Sequence, residues 1–470
     1  MAVLLDFQDS PSEARRLNLS VLILDKLFLR SWVEMNQVEK LQKNFNVTVL
    51  IPDNIENNYQ ISGVTFQTYS KIKTGRFESY LMTIYWIKNL SKSKSFKFNL
   101  ERYILGNVNW GWSAKKNLEI MKRVLGFIIL KPYHFLFFVK PIRIISEIFI
   151  KYKLKTKIDM MQSVFSNFQD AVLIPSSGGE TELYVLIEYF RKIQVPTILC
   201  VDNWDNIYGK VALTTLPNFI TVMGNTSVRA ANQIHGFDTG NVAPIGIPRF
   251  DFYRNKLNYQ SSIQRNMNLS ILYLGFSLEH DEIQVINELF EKLYNNSNGV
   301  EFKIIYRPHP RRLRRAREVK LNPNVKISRS IELARESKSG MPTMDQSFYE
   351  ELFEASVVIG APTTMMLEAM AIGKPCILDL TDDGIHRTTS RKSYHKFSHM
   401  QDLESIPELP IAKSIDEIVD QIRSFERHAT SAIDYSMSDV VNLEPRSYFE
   451  QLSEFILLTQ GLSDPKSELQ

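Results

Sequence analysis

Short apolar runs alternate with longer amphipathic stretches along most of the chain. Leu19-Ser-Val-Leu-Ile-Leu24 is apolar on both sides of a two-residue repeat, which predicts a strand buried on both faces. Residues 27–45 read as a helix, Val47-Thr-Val-Leu-Ile51 as the next strand and Val64-Thr-Phe-Gln-Thr68 as a third. This is β–α–β grammar, and it implies a parallel sheet covered by helices. Between 80 and 154 the grammar is interrupted by helical patterns at 80–90, 114–130 and 142–154. It resumes with a strand at 171–174, a helix at 180–192, and strands at 197–201, 219–222 and 242–245. After a polar stretch at 255–268 a second series begins. Its strands fall at 270–274, 302–306, 325–327, 356–359 and 376–378, with helices at 281–294, 346–355 and 364–372. A helix over 447–459 closes the pattern, and disorder is expected from 461 to 470.

The expectation is α/β: two Rossmann-like, doubly wound parallel-sheet domains facing a cleft, with a helical insertion in the first. The domains are expected at 1–254, with the insertion at about 92–157, and at 269–445, followed by a C-terminal helix and tail at 446–470. In such sheets ligands bind beyond the carboxyl ends of the strands, so the polar residues just after each strand are the candidates.

Composition narrows the class. The 470 residues are 44% hydrophobic and 23% charged, with only 19 glycines, which excludes disorder, collagen and coiled coil as overall descriptions. Two cysteines cannot make a disulfide framework, so a reducing compartment is expected. The net charge of +4 is uneven. Residues 92–157 hold fifteen Lys/Arg against three Asp/Glu, a local +12, and the rest of the chain is at −8. That block points to an anionic partner, either a membrane surface or a polyanion such as an anionic polysaccharide; nucleic acid is not among the expected partners. The alternative reading is that part of its apolar content packs on the first sheet. No apolar leader opens the sequence, and charges and prolines cut the longest apolar stretch near 124–143, so no spanning helix is expected.

The loops after the strands carry the chemistry. They read Pro175-Ser-Ser-Gly-Gly-Glu180, Asp202-Asn-Trp-Asp-Asn206, Gly275-Phe-Ser277, Arg307-Pro-His-Pro310 and Gly360-Ala-Pro-Thr-Thr364, the last opening a helix that carries Glu368. With Gly246-Ile-Pro-Arg-Phe-Asp251 and the stretch from Ser356 to Pro375, this set resembles glycosyltransferases of the two-Rossmann (GT-B) fold, especially those of bacterial surface polysaccharide synthesis. The resemblance is carried by residues 170–380. It implies a nucleotide-sugar donor on the second unit and a glycan or lipid-linked glycan acceptor on the first. Taken with the basic block at 92–157, the expectation is a cytoplasmic protein seated peripherally on the inner face of the plasma membrane.

The residues suit those roles. Gly360 permits close approach of backbone to a ligand. Thr363 and Thr364 stand where helix N-terminal N–H groups hold phosphate, and Glu368, a turn further, suits ribose hydroxyls. Gly275 and Ser277 are candidates for the donor phosphates. Arg307 and His309, their backbone stiffened by Pro308 and Pro310, suit a diphosphate leaving group, the arginine by charge and the histidine by a proton. Glu180 is either a catalytic base or a helix cap. Asp202 is a candidate base, and Trp204 with Asp205 is a candidate acceptor site, the ring stacking on a sugar and the carboxylate taking hydroxyls. Arg249 and Asp251 are expected to pin the hinge by an ion pair. There is no Asp-x-Asp triplet, no Walker loop and no metal-ligand spacing, so neither a metal nor a cofactor is expected. Three alternatives stay open: a CDP-polyol phosphotransferase of teichoic-acid type, a sugar-nucleotide epimerase of the same architecture, and a non-catalytic assembly subunit.

Overall fold

The computed structural model describes residues 16–462 except 35–37, 57–58, 106–117, 119–120, 123–135, 166–168, 255–268, 296–300, 310–320, 337–345 and 429–431. Two parallel sheets organise the chain. The first contains β1 (Leu17–Leu22), β2 (Phe45–Pro52), β3 (Val64–Tyr69), β4 (Ala171–Ser176), β5 (Thr197–Val201), β6 (Phe219–Thr221) and β7 (Val242–Ala243), in the order β3-β2-β1-β4-β5-β6-β7. The second contains β8 (Leu269–Leu274), β9 (Phe302–Arg307), β10 (Lys326–Ile327), β11 (Val357–Gly360), β12 (Cys376–Asp379) and β13 (Ile411–Ala412), in the order β10-β9-β8-β11-β12-β13. Both orders reverse once, between β1 and β4 and between β8 and β11. This is the two-Rossmann (GT-B) architecture that the strand pattern and the motifs implied. The reversals mark the two places where a ligand-binding crevice forms.

The strands formed where the apolar runs stood, because β4, β5, β11 and β12 are buried along their whole length. Cys200 and Cys376 lie free and buried inside β5 and β12. The helix expected over 27–45 is broken into a short helix Lys26–Leu29, a π-turn Arg30–Glu34 and a 3₁₀ segment Val38–Lys43. Its buried side chains explain this. Phe28, Leu29, Trp32 and Val33 keep α-helical spacing, but the next buried pair is Val38 and Leu41, out of phase and three apart.

The two units share their packing. Phe98, Trp204, Met223, Ile247, Phe250 and Tyr253 belong to a core made mostly by the second unit. The helix Tyr448–Leu462 returns to the first unit, where Tyr448, Phe449, Leu452 and Ile456 pack with Trp32 and Val33. It extends past the segment expected to be a helix, and residues 463–470 lie outside the described residues, as do the linker 255–268 and most of 114–130.

Candidate active site at the strand ends

Asp202 and Asn203 follow β5, Glu180 lies beyond β4, and Arg307 ends β9. Thr363 and Thr364 follow β11. These residues converge where the two units meet. Thr364 Oγ1 donates to Asn203 Oδ1 across the interface at 2.8 Å. Arg249, from the first unit, reaches the second, with its Nε 3.0 Å from Glu368 Oε1. Tyr253 OH donates to the other oxygen of Glu368 at 2.7 Å. Glu368 is only 2% exposed. Its carboxylate is therefore held by Arg249 and Tyr253, and the expected ribose contact gives way to an ion pair that joins the units. The expected Arg249–Asp251 pair is likewise replaced. Asp251 binds Arg254 at 3.0 Å and lies 3.5 Å from Lys40.

Asp202 sits in this charge cluster. Burial raises its carboxyl to about 7; Arg249 opposes the shift, while Glu180 and Asp205 add to it. Asn206 Nδ2 donates to it at 3.4 Å. Glu180 is engaged locally. Ser177 N and Oγ donate to one oxygen at 3.1 and 2.8 Å, and Ser176 Oγ donates to the other. These bonds fold the 176–180 loop, as a cap would. Asp205 pairs with Lys210. Trp204 is 3% exposed, with its ring edge-on to His399 of the second unit, centroids 5.0 Å apart. Neither face is open to a sugar, so the expected stacking platform is an interface anchor. His399 beside it is held down at about 4 by burial, and stays neutral.

On the second unit, Arg307 is 7% exposed. Among the described residues its hydrogen-bond acceptors are Ser330 Oγ (3.2 Å) and the Met365 thioether (2.8 Å), and its guanidinium lies 4.5 Å over the Phe348 ring. Among them no carboxylate lies within ion-pair distance of it. Burial lowers its pKa to about 10, with Glu368 and Glu351 opposing the shift. Contact with Met365 puts this cation at the start of the helix Thr364–Ala371, which Thr363 caps by accepting from Met366 N. His309 is half-buried, two residues past β9.

The two glycines serve the protein itself. A Cβ on Gly360 would meet Leu274 O at 2.7 Å, so backbone packing fills the space expected for a ligand. A Cβ on Gly275 would meet His309 N at 2.8 Å and Pro308 Cα at 2.9 Å, so Gly275 brings the ends of β8 and β9 together. Phe276 is buried and its N–H donates to Glu282 at 2.6 Å, which closes that loop against phosphate. Ser277 is exposed. Lys374 of the Gly-Lys-Pro turn is spent on the carbonyls of Phe353 and Ala355.

Sequence reasoning missed a His–Asp pair past β12. His386 Nδ1 lies 2.7 Å from Asp383 Oδ2. The Asp383 carboxyl also accepts from the backbone N–H of Asp281, Ile385 and His386, at 2.9, 2.8 and 2.8 Å. Burial works to raise its pKa, but these bonds outweigh it and hold the carboxyl at about 2. Next in sequence, Arg387 lies 3.5 Å from Glu101 of the first unit, so the pair stands at the same interface. The signal was Asp382-Asp383-Gly-Ile-His386, a polar run directly after a buried strand. A surface pocket of about 540 Å³ lined by Arg16, Asn18 and Asn46 opens at the amino ends of β1 and β2, the opposite end of the sheet.

Fold and site define a two-Rossmann protein whose units meet at a buried strand-end arginine on one side and a group of carboxylates on the other. No protein-family model matches the chain, and no curated protein matches its sequence. Among solved structures it is similar to the UDP-GlcNAc 2-epimerase of Methanocaldococcus jannaschii, at 11% identity over 94% of this chain and 100% of that one, TM-score 0.49. It is also similar to the UDP-GlcNAc 2-epimerase of Neisseria meningitidis bound to UDP-GlcNAc (12% identity, 94% and 99% covered, TM-score 0.44). A third is the UDP-forming α,α-trehalose-phosphate synthase of Burkholderia vietnamiensis (9% identity, 96% and 99% covered, TM-score 0.45).

Proposed function

We propose that the protein is a metal-independent glycosyltransferase that moves a sugar from a nucleotide-sugar donor to a glycan or lipid-linked glycan acceptor. The observation that carries this reading is Arg307. It is a buried cation at a strand end with no carboxylate partner among the described residues, beside a helix N-terminus. A buried charge without a counter-ion is costly, and an anion completes it. A helix start offers the same anion its N–H groups. A donor diphosphate fits both, with His309 two residues away on the same loop.

In this reading the acceptor hydroxyl gives its proton to Asp202 as its oxygen bonds to the anomeric carbon. The bond from that carbon to the diphosphate oxygen breaks, and its electron pair leaves on the nucleoside diphosphate. Arg307 and the helix start offset that charge, and His309 can protonate it. A carboxyl that titrates near 7 is suited to a base working near neutrality.

A thermal-shift screen against UDP-, GDP-, CMP-, CDP- and dTDP-linked donors tests the reading. A ligand at 100 times its dissociation constant adds about 2.7 kcal/mol. The expected result is one donor class that stabilises wild type and fails to stabilise Arg307→Ala. No shift with any donor, or a shift that survives Arg307→Ala, overturns it. Conversion of the sugar nucleotide without acceptor and without release of nucleoside diphosphate favours the epimerase instead.

A further inference from the structure

We infer that the outward face of the helix Lys140–Met160 docks on an anionic lipid bilayer, with the helix lying in the plane of the headgroups. This helix has two opposite apolar faces. Ile150, Leu154 and Ile158 are buried and pack into the first unit's core. On the other side Ile145, Ile148, Phe149 and Tyr152 are 68%, 66%, 50% and 71% exposed. Their spacing is i, i+3, i+4, i+7, one stripe of an α-helix, and at about 100° per residue it lies opposite the buried triad. Exposed Ile142 and Met160 extend the stripe toward both ends, and Phe138 and Val139 precede it. Twenty-one residues make the helix about 31 Å long. Soluble surfaces rarely leave so continuous an apolar strip in water.

Charge selects the occupant. Lys153 and Lys155 flank the stripe, one on each margin, and both are exposed. Their stems can lie along the apolar strip while the ammonium groups reach lipid phosphates. Both acidic residues of the helix are paired with lysines, Glu147 on the protein side and Asp159 in an exposed pair at the C-terminal end of the stripe. Glu147 is held by Lys88 (2.5 Å), Lys151 (3.0 Å) and Tyr85 (3.0 Å), and Asp159 by Lys192 (2.6 Å). An apolar stripe with basic margins is the pattern of an in-plane interfacial helix. Among the described residues no helix is long and apolar enough to cross a membrane. The inference does not depend on the transferase reading.

The test is co-sedimentation of the full-length protein with vesicles of phosphatidylcholine, with and without phosphatidylglycerol. Binding is expected with the anionic vesicles only and is expected to fall in high salt. Removing each lysine charge is expected to weaken partition about fivefold, so the Lys153→Glu, Lys155→Glu double variant loses most of the bound fraction. Ile145→Ser, Ile148→Ser, Tyr152→Ser together are expected to abolish binding with the melting temperature unchanged, since all three side chains are exposed. Phe149→Trp supplies a second readout, an emission blue-shift on anionic vesicles. Equal recovery in the supernatant with both vesicle types at low salt overturns the inference. So does a concentration-dependent dimer in sedimentation velocity that the serine variant dissolves, which would make a second copy the occupant. Lipid binding that survives the serine variant also overturns it.

Discussion

Replacing Glu368 with alanine removes the carboxylate that joins the two units. Two groups lose their partner: the Arg249 guanidinium, 3.0 Å away, and the Tyr253 hydroxyl, at 2.7 Å. Breaking a buried ion pair from one side costs about 3–5 kcal/mol, and a buried hydroxyl left without an acceptor costs about 1–3 kcal/mol. The Arg249 side chain is 28% exposed, and Asp202, once it ionises near pH 7, is a second negative neighbour. Water and Asp202 therefore recover part of the loss, and the net expectation is a destabilisation of about 3–4 kcal/mol. Glu368→Gln keeps an acceptor for Tyr253 but loses the charge, so it should fall between wild type and alanine. Arg249→Met with Glu368→Leu removes both charges at once and should be more stable than either single variant, because no buried charge is orphaned. Urea unfolding followed by tryptophan fluorescence, with all four corners of the Arg249/Glu368 cycle, measures this. A Glu368→Ala protein within about 0.5 kcal/mol of wild type would refute the reasoning. So would a double variant no better than the worse single.

Three further outcomes are expected. His309→Ala should lower transfer turnover about 10²–10⁴-fold with its melting temperature intact, and near wild-type turnover would remove His309 from the chemistry. The Asp202 carboxyl titrates near 7 when folded against an ordinary 3.8. The folded state thus holds a proton that the unfolded state releases, and its stabilising effect is complete below 3.8 and lost as pH rises through 7. Melting curves of wild type should therefore fall relative to Asp202→Asn between those values, while wild-type activity rises; parallel melting curves refute the assignment. Trp204→Ala should cost about 3–5 kcal/mol of stability, as a buried interface anchor does. A variant of unchanged stability with only a raised acceptor KM would restore the stacking role.

Much of the architecture was legible because a strand in a parallel sheet is buried on both faces and must be apolar throughout. Ala171-Val-Leu-Ile174, Thr197-Ile-Leu-Cys-Val201 and Ser356-Val-Val-Ile359 carry that requirement locally. β10 is only two residues long, yet its run at 325–327 was recognised. β13 is equally short and was missed, since two residues make no pattern. Placement of polar residues just past strand ends was also legible, and it brought Asp202, Arg307 and Thr364 to one interface.

Partnership was not legible. Arg249 and Glu368 are far apart in the chain, and nothing in either neighbourhood marks the other. Only the docking of the units makes them a pair and takes Glu368 away from a ligand. Trp204 reads the same whether its ring faces a sugar or His399, because burial of an aromatic in a loop depends on what packs over it. Gly360 and Gly275 signal close approach, but the approaching group, here Leu274 or Pro308 and His309, belongs to another strand. The helix Lys140–Met160 makes the same point for a surface. Its two apolar faces blur into one another along the sequence. The first unit's packing buries Ile150, Leu154 and Ile158 and leaves Ile145, Ile148 and Tyr152 outside. Local periodicity depends on neighbours along the chain, so the sequence alone determined every described strand but β13, the strand-end loops and seven helices, while Lys94–Leu105, Arg329–Glu336 and Ile415–His428 went unread. Charge pairing, ring burial and the choice of outward face depend on neighbours across space, and only the tertiary structure decided them.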